Sequence, residues 1–257
     1  MVGLSAVGLA IVLIGGTAFA QRGGGFGFGF RGRGIQVEPN APYTGQFTFV
    51  RLRYGPALEY VGQRVPWSHD YPTGERHFMK ILHELTLLQP RLQEVNILGF
   101  DDPEVFRYPV AYMAEPGYMS LTEEEVAGFR AYLLKGGFVI FDDFSAQRGG
   151  WDNFESEMRR VLPAGRFVDL DASHPIFHSF FEIDDLNIIP QYYDQGAPIF
   201  RAIFEDNDPK KRLMVMVNFN TDISEFWEFS DVGLKPIAES NEAYKLGVNY
   251  VVYGMTH

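Results

Sequence analysis

The stretch from Thr122 to Asp143 limits the architecture open to this chain more than any other. Thr122-Glu-Glu-Glu125 has the form of a capping box, with threonine at the N-cap and glutamate three residues on. Val126, Phe129 and Leu133 follow at helical spacing, and Gly136 supplies the left-handed residue that closes a helix. Gly137 to Phe141 is then a short apolar run without alternation, the pattern of a strand covered on both faces in a parallel sheet. Asp142 and Asp143 stand at the carboxyl end of that strand.

The flanking sequence repeats this alternation. Gln46 to Tyr54 reads as a first strand, with Phe47, Phe49, Arg51 and Arg53 on one face and Thr48, Val50, Leu52 and Tyr54 on the other. Thr73 fits an N-cap for a helix to about Gln89, whose Phe78, Ile81, Leu82, Leu85 and Leu88 form one stripe before Pro90. Tyr108 to Ala114 reads as a buried strand, and Trp151 to Leu162 as a third helix stopped by Pro163-Ala-Gly165. Phe167 to Leu170 is a short strand, while Ile199 to Phe204 and Leu213 to Val217 form a hairpin about the polar turn 205–212. Glu242 to Gly254 predicts a closing helix, with Val248, Val251 and Val252 lowering its propensity. Strands alternating with helices predict one α/β domain with a mainly parallel sheet.

The amino-terminal residues have a different character. Val2 to Ala20 carries no charge, passes through the apolar run Leu9 to Ile14 and ends in Ala18-Phe19-Ala20, which predicts a secretory signal peptide over 1–20. Left uncut, the same segment approaches the ~20 residues that span a bilayer and would act as an anchor. Residues 21–45 open with a Gly-, Phe- and Arg-rich stretch to Gly34 and read as a flexible linker. The formal net charge is −11; Arg22, Arg31 and Arg33 lie in 21–34 without an acid, so the remaining residues carry −14. An acidic body repels phosphate backbones, so nucleic acid is not an expected partner, and a membrane is one only if the leader stays attached.

Several ordered motifs carry a resemblance. They are Phe49-Val-Arg-Leu-Arg-Tyr54, Tyr108-Pro-Val-Ala-Tyr-Met113, Leu121-Thr-Glu-Glu-Glu-Val126, Tyr132-Leu-Leu-Lys-Gly-Gly-Phe-Val-Ile-Phe-Asp-Asp143, His174-Pro-Ile-Phe177 and Tyr244-Lys-Leu-Gly-Val-Asn-Tyr-Val-Val-Tyr253. Over roughly 46–257 the chain resembles the DUF4159 family, a bacterial domain of unknown function. The resemblance implies a flavodoxin-like, class I glutamine amidotransferase-like three-layer sandwich. It implies no established activity, and the sequence has no cysteine, so the thiolate chemistry usual for that fold has no nucleophile here.

The candidate site follows from the fold, because ligands of open α/β sheets bind outside the carboxyl ends of the strands. Asp142 and Asp143 at such an end could hold a cation or act as a base, or else one faces solvent while the other caps the next loop. Arg51 and Arg53 end the first strand; a guanidinium there would pair with Asp142 or hold an anionic ligand. His174 and His178 are four apart, but Pro175 disfavours a helical zinc pair and favours a loop packing Ile176, Phe177 and Phe180. Trp67-Ser-His-Asp70-Tyr-Pro-Thr-Gly-Glu-Arg-His77, with His69 and His77 flanking the start of the first helix, gathers aromatic, acid and imidazole groups that could line a pocket or equally form a packed surface loop. Trp227, between acids in Glu225-Phe-Trp-Glu228, would suit an exposed rim. Ser145 lacks the flanking glycines of a nucleophile elbow, and neither a Walker loop nor a dinucleotide fingerprint is present.

The reading is an exported, periplasmic or secreted, non-catalytic domain that binds a small ligand, glycan or protein. Arg51, Arg53, Asp142, Asp143 and Trp151 are its expected lining, with neither cofactor nor metal. The alternative is a metal-dependent or carboxylate-based hydrolase using Asp142 or Asp143 with a histidine. Mass spectrometry of the protein recovered from its native cells is expected to give a mature chain beginning at Gln21; a chain retaining Met1 to Ala20 would make it a tethered protein.

Overall fold

The computed structural model describes residues 37–55, 65–144, 150–192 and 196–257, all within one compact unit, Arg33–His257. The expected signal peptide, most of the expected linker and Ser145 lie outside the described residues. In chain order the elements are β1 (Phe49–Leu52), α1 (Thr73–Leu85), β2 (Val95–Leu98), β3 (Val110–Ala114), α2 (Glu123–Leu134), β4 (Phe138–Asp142), α3 (Gly150–Val161), β5 (Val168–Asp169), β6 (Ile199–Phe204), β7 (Leu213–Phe219), α4 (Ile223–Glu228) and α5 (Ile237–Thr256). No helix among the described residues is long and apolar enough to cross a membrane.

The strands form one seven-stranded sheet in the order β2-β1-β3-β4-β7-β6-β5. The pairs from β2 to β7 are parallel, and β6 and β5 extend that edge antiparallel, so the sheet is mixed but mostly parallel. Period-two alternation sends Phe49, Tyr112, Ile140 and Met216 to one face, where α1, α4 and α5 bring Phe78, Trp227 and Tyr250. Val50, Met113, Phe141 and Val217 face the other way, against Phe129 and Phe154 of α2 and α3. Both faces are apolar, which is why β4 shows no alternation of polar and apolar residues.

The capping box forms as expected: the Thr122 hydroxyl accepts from the Glu125 amide, and the Glu125 carboxylate accepts from the Thr122 amide at 2.8 Å. Gly136 takes a φ of 111° just beyond α2. Other boundaries differ from the sequence expectation. Thr73 lies inside α1 and Pro72 is the N-cap, without a side-chain bond. The helix stops at Leu85 rather than Gln89, because the Thr86 hydroxyl bonds back to the Leu82 carbonyl at 2.6 Å while its backbone turns extended. The last helix is longer than expected and starts at Ile237; burial of Val248 and Val251 outweighs their weak propensity. Phe180, expected in the packing of its loop, is 43% exposed, whereas Ile176 and Phe177 are buried.

Trp227 is not at a rim. It belongs to α4 and stacks on Phe78 of α1 with ring centroids 4.4 Å apart. The Glu-Phe-Trp-Glu pattern is one helical turn whose aromatic side faces inward, not an alternating exposed edge.

Gly128 of α2 rests on the loop that follows β2, where a β-carbon would fall on the Phe100 carbonyl. Gly→Ala in a helix normally stabilises by up to ~1 kcal/mol. Here the sign is expected to reverse: Gly128→Ala should lower stability by ~1–3 kcal/mol in urea unfolding, and an unchanged or raised stability would contradict this packing.

Candidate functional site

The carboxyl ends of β1, β3, β4 and β7 converge on a buried polar cluster. β4 ends in Asp142, which is fully buried and accepts four hydrogen bonds: from the Tyr112 hydroxyl of β3 (2.8 Å), Asn218 Nδ2 of β7 (2.9 Å) and the backbone amides of Ile223 (3.0 Å) and Ser224 (3.2 Å) in α4. Tyr250 of α5 donates to Asn218 Oδ1 at 2.9 Å, which turns the amide nitrogen toward Asp142. Both Asp142 oxygens are therefore engaged. Burial nonetheless dominates these bonds and, with Asp143 beside it, pushes the carboxyl up to about 7.

Asp143 turns the chain away from the strand with a φ of 62°. It is buried, and its Oδ2 lies 2.7 Å from His69 Nδ1. The expectation that one of the two aspartates would face solvent fails, because the loops before α1 and α4 close over the edge. Asp70 precedes α1, also at a φ of 62°; its Oδ2 accepts from the Ser224 hydroxyl at 2.6 Å, and its Oδ1 lies 3.6 Å from His69 Nδ1. Asp222 is the N-cap of α4, where its Oδ1 accepts from the Glu225 amide (3.0 Å) and shares the Ser224 hydroxyl (3.1 Å). Desolvation raises the carboxyls of Asp70 and Asp222, and Asp143 pushes both further in the same direction. Left-handed, non-glycine residues recur around this edge, at Asp70, Glu115, Asp143 and Asn220. Each such conformation costs of order 1 kcal/mol and persists where the surroundings impose it.

Arg51 enters the cluster from β1, wholly buried. Its Nε pairs with Glu75 of α1, its Nη1 donates to the Trp67 carbonyl at 2.8 Å, and its guanidinium lies 5.2 Å from the Tyr112 ring centre. Arg53 does not pair with Asp142. One residue beyond β1, it lies on the surface, 3.1 Å from Asp101 Oδ1 and 4.0 Å from Glu125 Oε1. Trp151 contacts the aromatic rings of Phe144, Phe154, Phe167 and Phe219, with the Arg201 guanidinium 4.2 Å from its ring centre. Of the five expected lining residues, Arg51, Asp142 and Asp143 are thus brought together, while Arg53 and Trp151 have partners elsewhere.

Among the histidines, His69 joins the cluster. His77 bonds the Trp227 carbonyl at 2.9 Å, His174 Nδ1 accepts from the Ile176 amide at 3.2 Å, and His178 holds Glu182 and the Ala172 carbonyl, each at 2.6 Å. His174 and His178 form no zinc pair, since they flank a single 3-10 turn and each is occupied locally. Tyr112, Asn218, Asp222 and Ser224 were not foreseen. The sequence signal for the last three is the stretch 218–224, in which Asn218, Asn220, Thr221, Asp222 and Ser224 follow the apolar run 213–217.

Among the described residues, the buried carboxylates of Asp70, Glu75, Asp142, Asp143, Asp222 and Glu225 thus share an edge with the buried guanidinium of Arg51. Fold and site together define an α/β domain with a mostly parallel mixed sheet and an acid-rich carboxyl edge. The chain belongs to the family described as Domain of unknown function (DUF4159), whose profile matches residues 48–255. No curated protein matches it in sequence.

A carboxyl raised in the folded state binds a proton that the unfolded chain has already lost. Between pH ~4 and 7 the folded protein therefore holds more protons at Asp142, so its stability falls as pH rises through that window and levels off above it. Urea unfolding in EDTA-containing buffer is expected to show greater stability at pH 5 than at pH 8, with a slope of up to ~1.4 kcal/mol per pH unit for each such group. Stability that rises over this range would contradict the assignment.

Proposed function

We propose that this is an exported, ligand-binding α/β domain whose ligand carries positive charge and docks at the carboxyl edge beside His69, Asp70, Asp143 and Asp222. The observation that carries this reading is the excess of buried acid over base: Arg51 is held by Glu75, and the neighbouring Lys235 by Glu225 at 3.0 Å. A positively charged ligand relieves like-charge crowding that a neutral or anionic one would leave or worsen. Its place also supports the reading, because β1 is flanked by β2 on one side and β3 on the other, and the crevice where strand order reverses is where such sheets receive ligands.

The proposal includes the finer architecture, a flavodoxin-like, class I glutamine amidotransferase-like three-layer sandwich. The order β2-β1-β3-β4-β7 parallels the flavodoxin order 2-1-3-4-5 with β7 as fifth strand, which supports it. Export rests on the apolar run and Ala-Phe-Ala ending of residues 1–20.

A second reading, a carboxylate-based hydrolase, draws on one observation. Asp143 lies within hydrogen-bond reach of His69, the arrangement that orients an imidazole as a general base. The two readings separate in one set of assays. Recognition predicts saturable stabilisation by cations such as putrescine, arginine amide or divalent metal salts, with no turnover of ester or phosphoester substrates. Stabilisation by phosphate or citrate alone would overturn the charge assignment, and hydrolysis lost in His69→Ala would establish the second reading.

A further inference from the structure

We propose that His69, Asp70 and Asp222 form a binding site for one divalent metal ion of the Mn2+ to Zn2+ class. This deepens the reading above, on which it rests, by naming the charged ligand. Two loops far apart in sequence build the site: His69 and Asp70 just before α1, and Asp222 at the N-cap of α4. One donor atom from each of the three residues falls within 4.8 Å of the other two. Metal bonds of ~2.0–2.2 Å place neighbouring donors roughly 3 Å apart, so closing the shell takes inward movement of the side chains and, if Nδ1 is the ligating nitrogen, exchange of the 2.7 Å bond between His69 and Asp143 for the metal.

Two oxygens supply the independent support. Asp70 Oδ1 and Asp222 Oδ2 are buried and accept no hydrogen bond from any described residue. The Asp70 side chain is 0% exposed, and so is Asp222 as a whole. A buried carboxylate oxygen without a donor is costly, and buried charges are characteristically paired or bound to metal. The unpartnered Oδ1 of Asp70 faces His69, with 3.6 Å between it and Nδ1. The other oxygen of each aspartate is fixed by the Ser224 hydroxyl, which divides one proton between them at 2.6 and 3.1 Å. Hydrogen bonds of this kind orient ligating carboxylates in metal sites. Glu225, close to Asp70, pairs with Lys235 at 3.0 Å, while Glu228 also approaches the Asp70 carboxyl.

The donor set selects the ion. Two carboxylate oxygens and an imidazole nitrogen suit Mn2+, Fe2+ and Zn2+, whereas Ca2+ and Mg2+ prefer shells made of oxygen alone. Asp142 is not a ligand, because four donors already engage its two oxygens.

The test is calorimetric titration of the EDTA-treated full chain with MnCl2 and ZnCl2, beside putrescine as an organic cation. One ion per chain is expected, with affinity falling about tenfold or more in both His69→Ala and Asp222→Asn. Asparagine keeps the N-cap of α4 and removes an unpaired charge, so Asp222→Asn should melt higher than the wild type without metal and lose the metal-induced shift in Tm. If that variant fails to fold, His69→Ala, at a partly exposed position, carries the comparison. Metal binding unchanged in the variants, or saturable putrescine binding with no uptake of either metal, would overturn the metal site while leaving the cationic-ligand reading standing. Failure of both metals and putrescine would overturn both.

Discussion

The buried carboxylate of Asp142 is the interaction on which the carboxyl edge depends. Its four donors come from β3, β7 and α4, and it closes β4 itself, so one side chain ties three neighbouring strands to the helix that caps them. Removing a carboxylate from water is expensive, and the bonds it gains in return are charge-assisted and roughly twice as strong as neutral ones. Tyr112 and Asn218 are themselves fixed from behind, the tyrosine beneath Arg51 and the asparagine by Tyr250 of α5. The network therefore reaches from the sheet into the helical layer on the α5 face.

That anchor has a consequence next door. With Asp142 satisfied by donors from the fold, Asp143, Asp70 and Asp222 are crowded around it in a medium that no longer screens them; Asp143 raises the proton affinity of the other three, and Asp70 and Asp142 raise that of Asp222. Arg51 offsets this only in part, by favouring the charged form of Asp70, because its Nε is held by Glu75. An Arg–Glu pair at full burial is weak evidence of stability in itself, but removal of either partner leaves an uncompensated charge. The edge thus separates into a neutralised half under β1 and α1 and an acid-rich half under β4 and β7. Left-handed aspartates at 70 and 143 aim the acid-rich half, and the shared Ser224 hydroxyl holds two of its members.

Most of the framework was legible in the residues. The capping box at Thr122, the left-handed Gly136, the apolar strand after it and the hairpin 199–217 each follow from local rules that burial reinforces. β2 was not foreseen, since its four residues include Asn96, whose amide is buried against Ala41 and the Tyr108 hydroxyl. α4 was missed for a related reason: six residues are too few to display a period. Asp142 and Asp143 could be placed at a strand end from sequence alone, and the Trp67 to His77 loop could be suspected, although of its two histidines only His69 reaches the cluster. What brings His69 to Asp143 and Ser224 to Asp70 is contact between segments 74 and 154 residues apart, which no local pattern encodes. The Arg53 expectation failed similarly, because strand position fixed its direction but not that Asp101 would be nearer than Asp142.

The central claim is that this edge holds more buried carboxylate than its own cations can neutralise. Carbon-13 NMR of the aspartate carboxyl groups, titrated from pH 3 to 9 in the EDTA-treated protein, reads the combined effect of burial and acid crowding at that edge. The account predicts a carboxyl assigned to Asp142 titrating near 7. Ionisation of Asp142 and of every other aspartate in the ordinary range near 4 would contradict it.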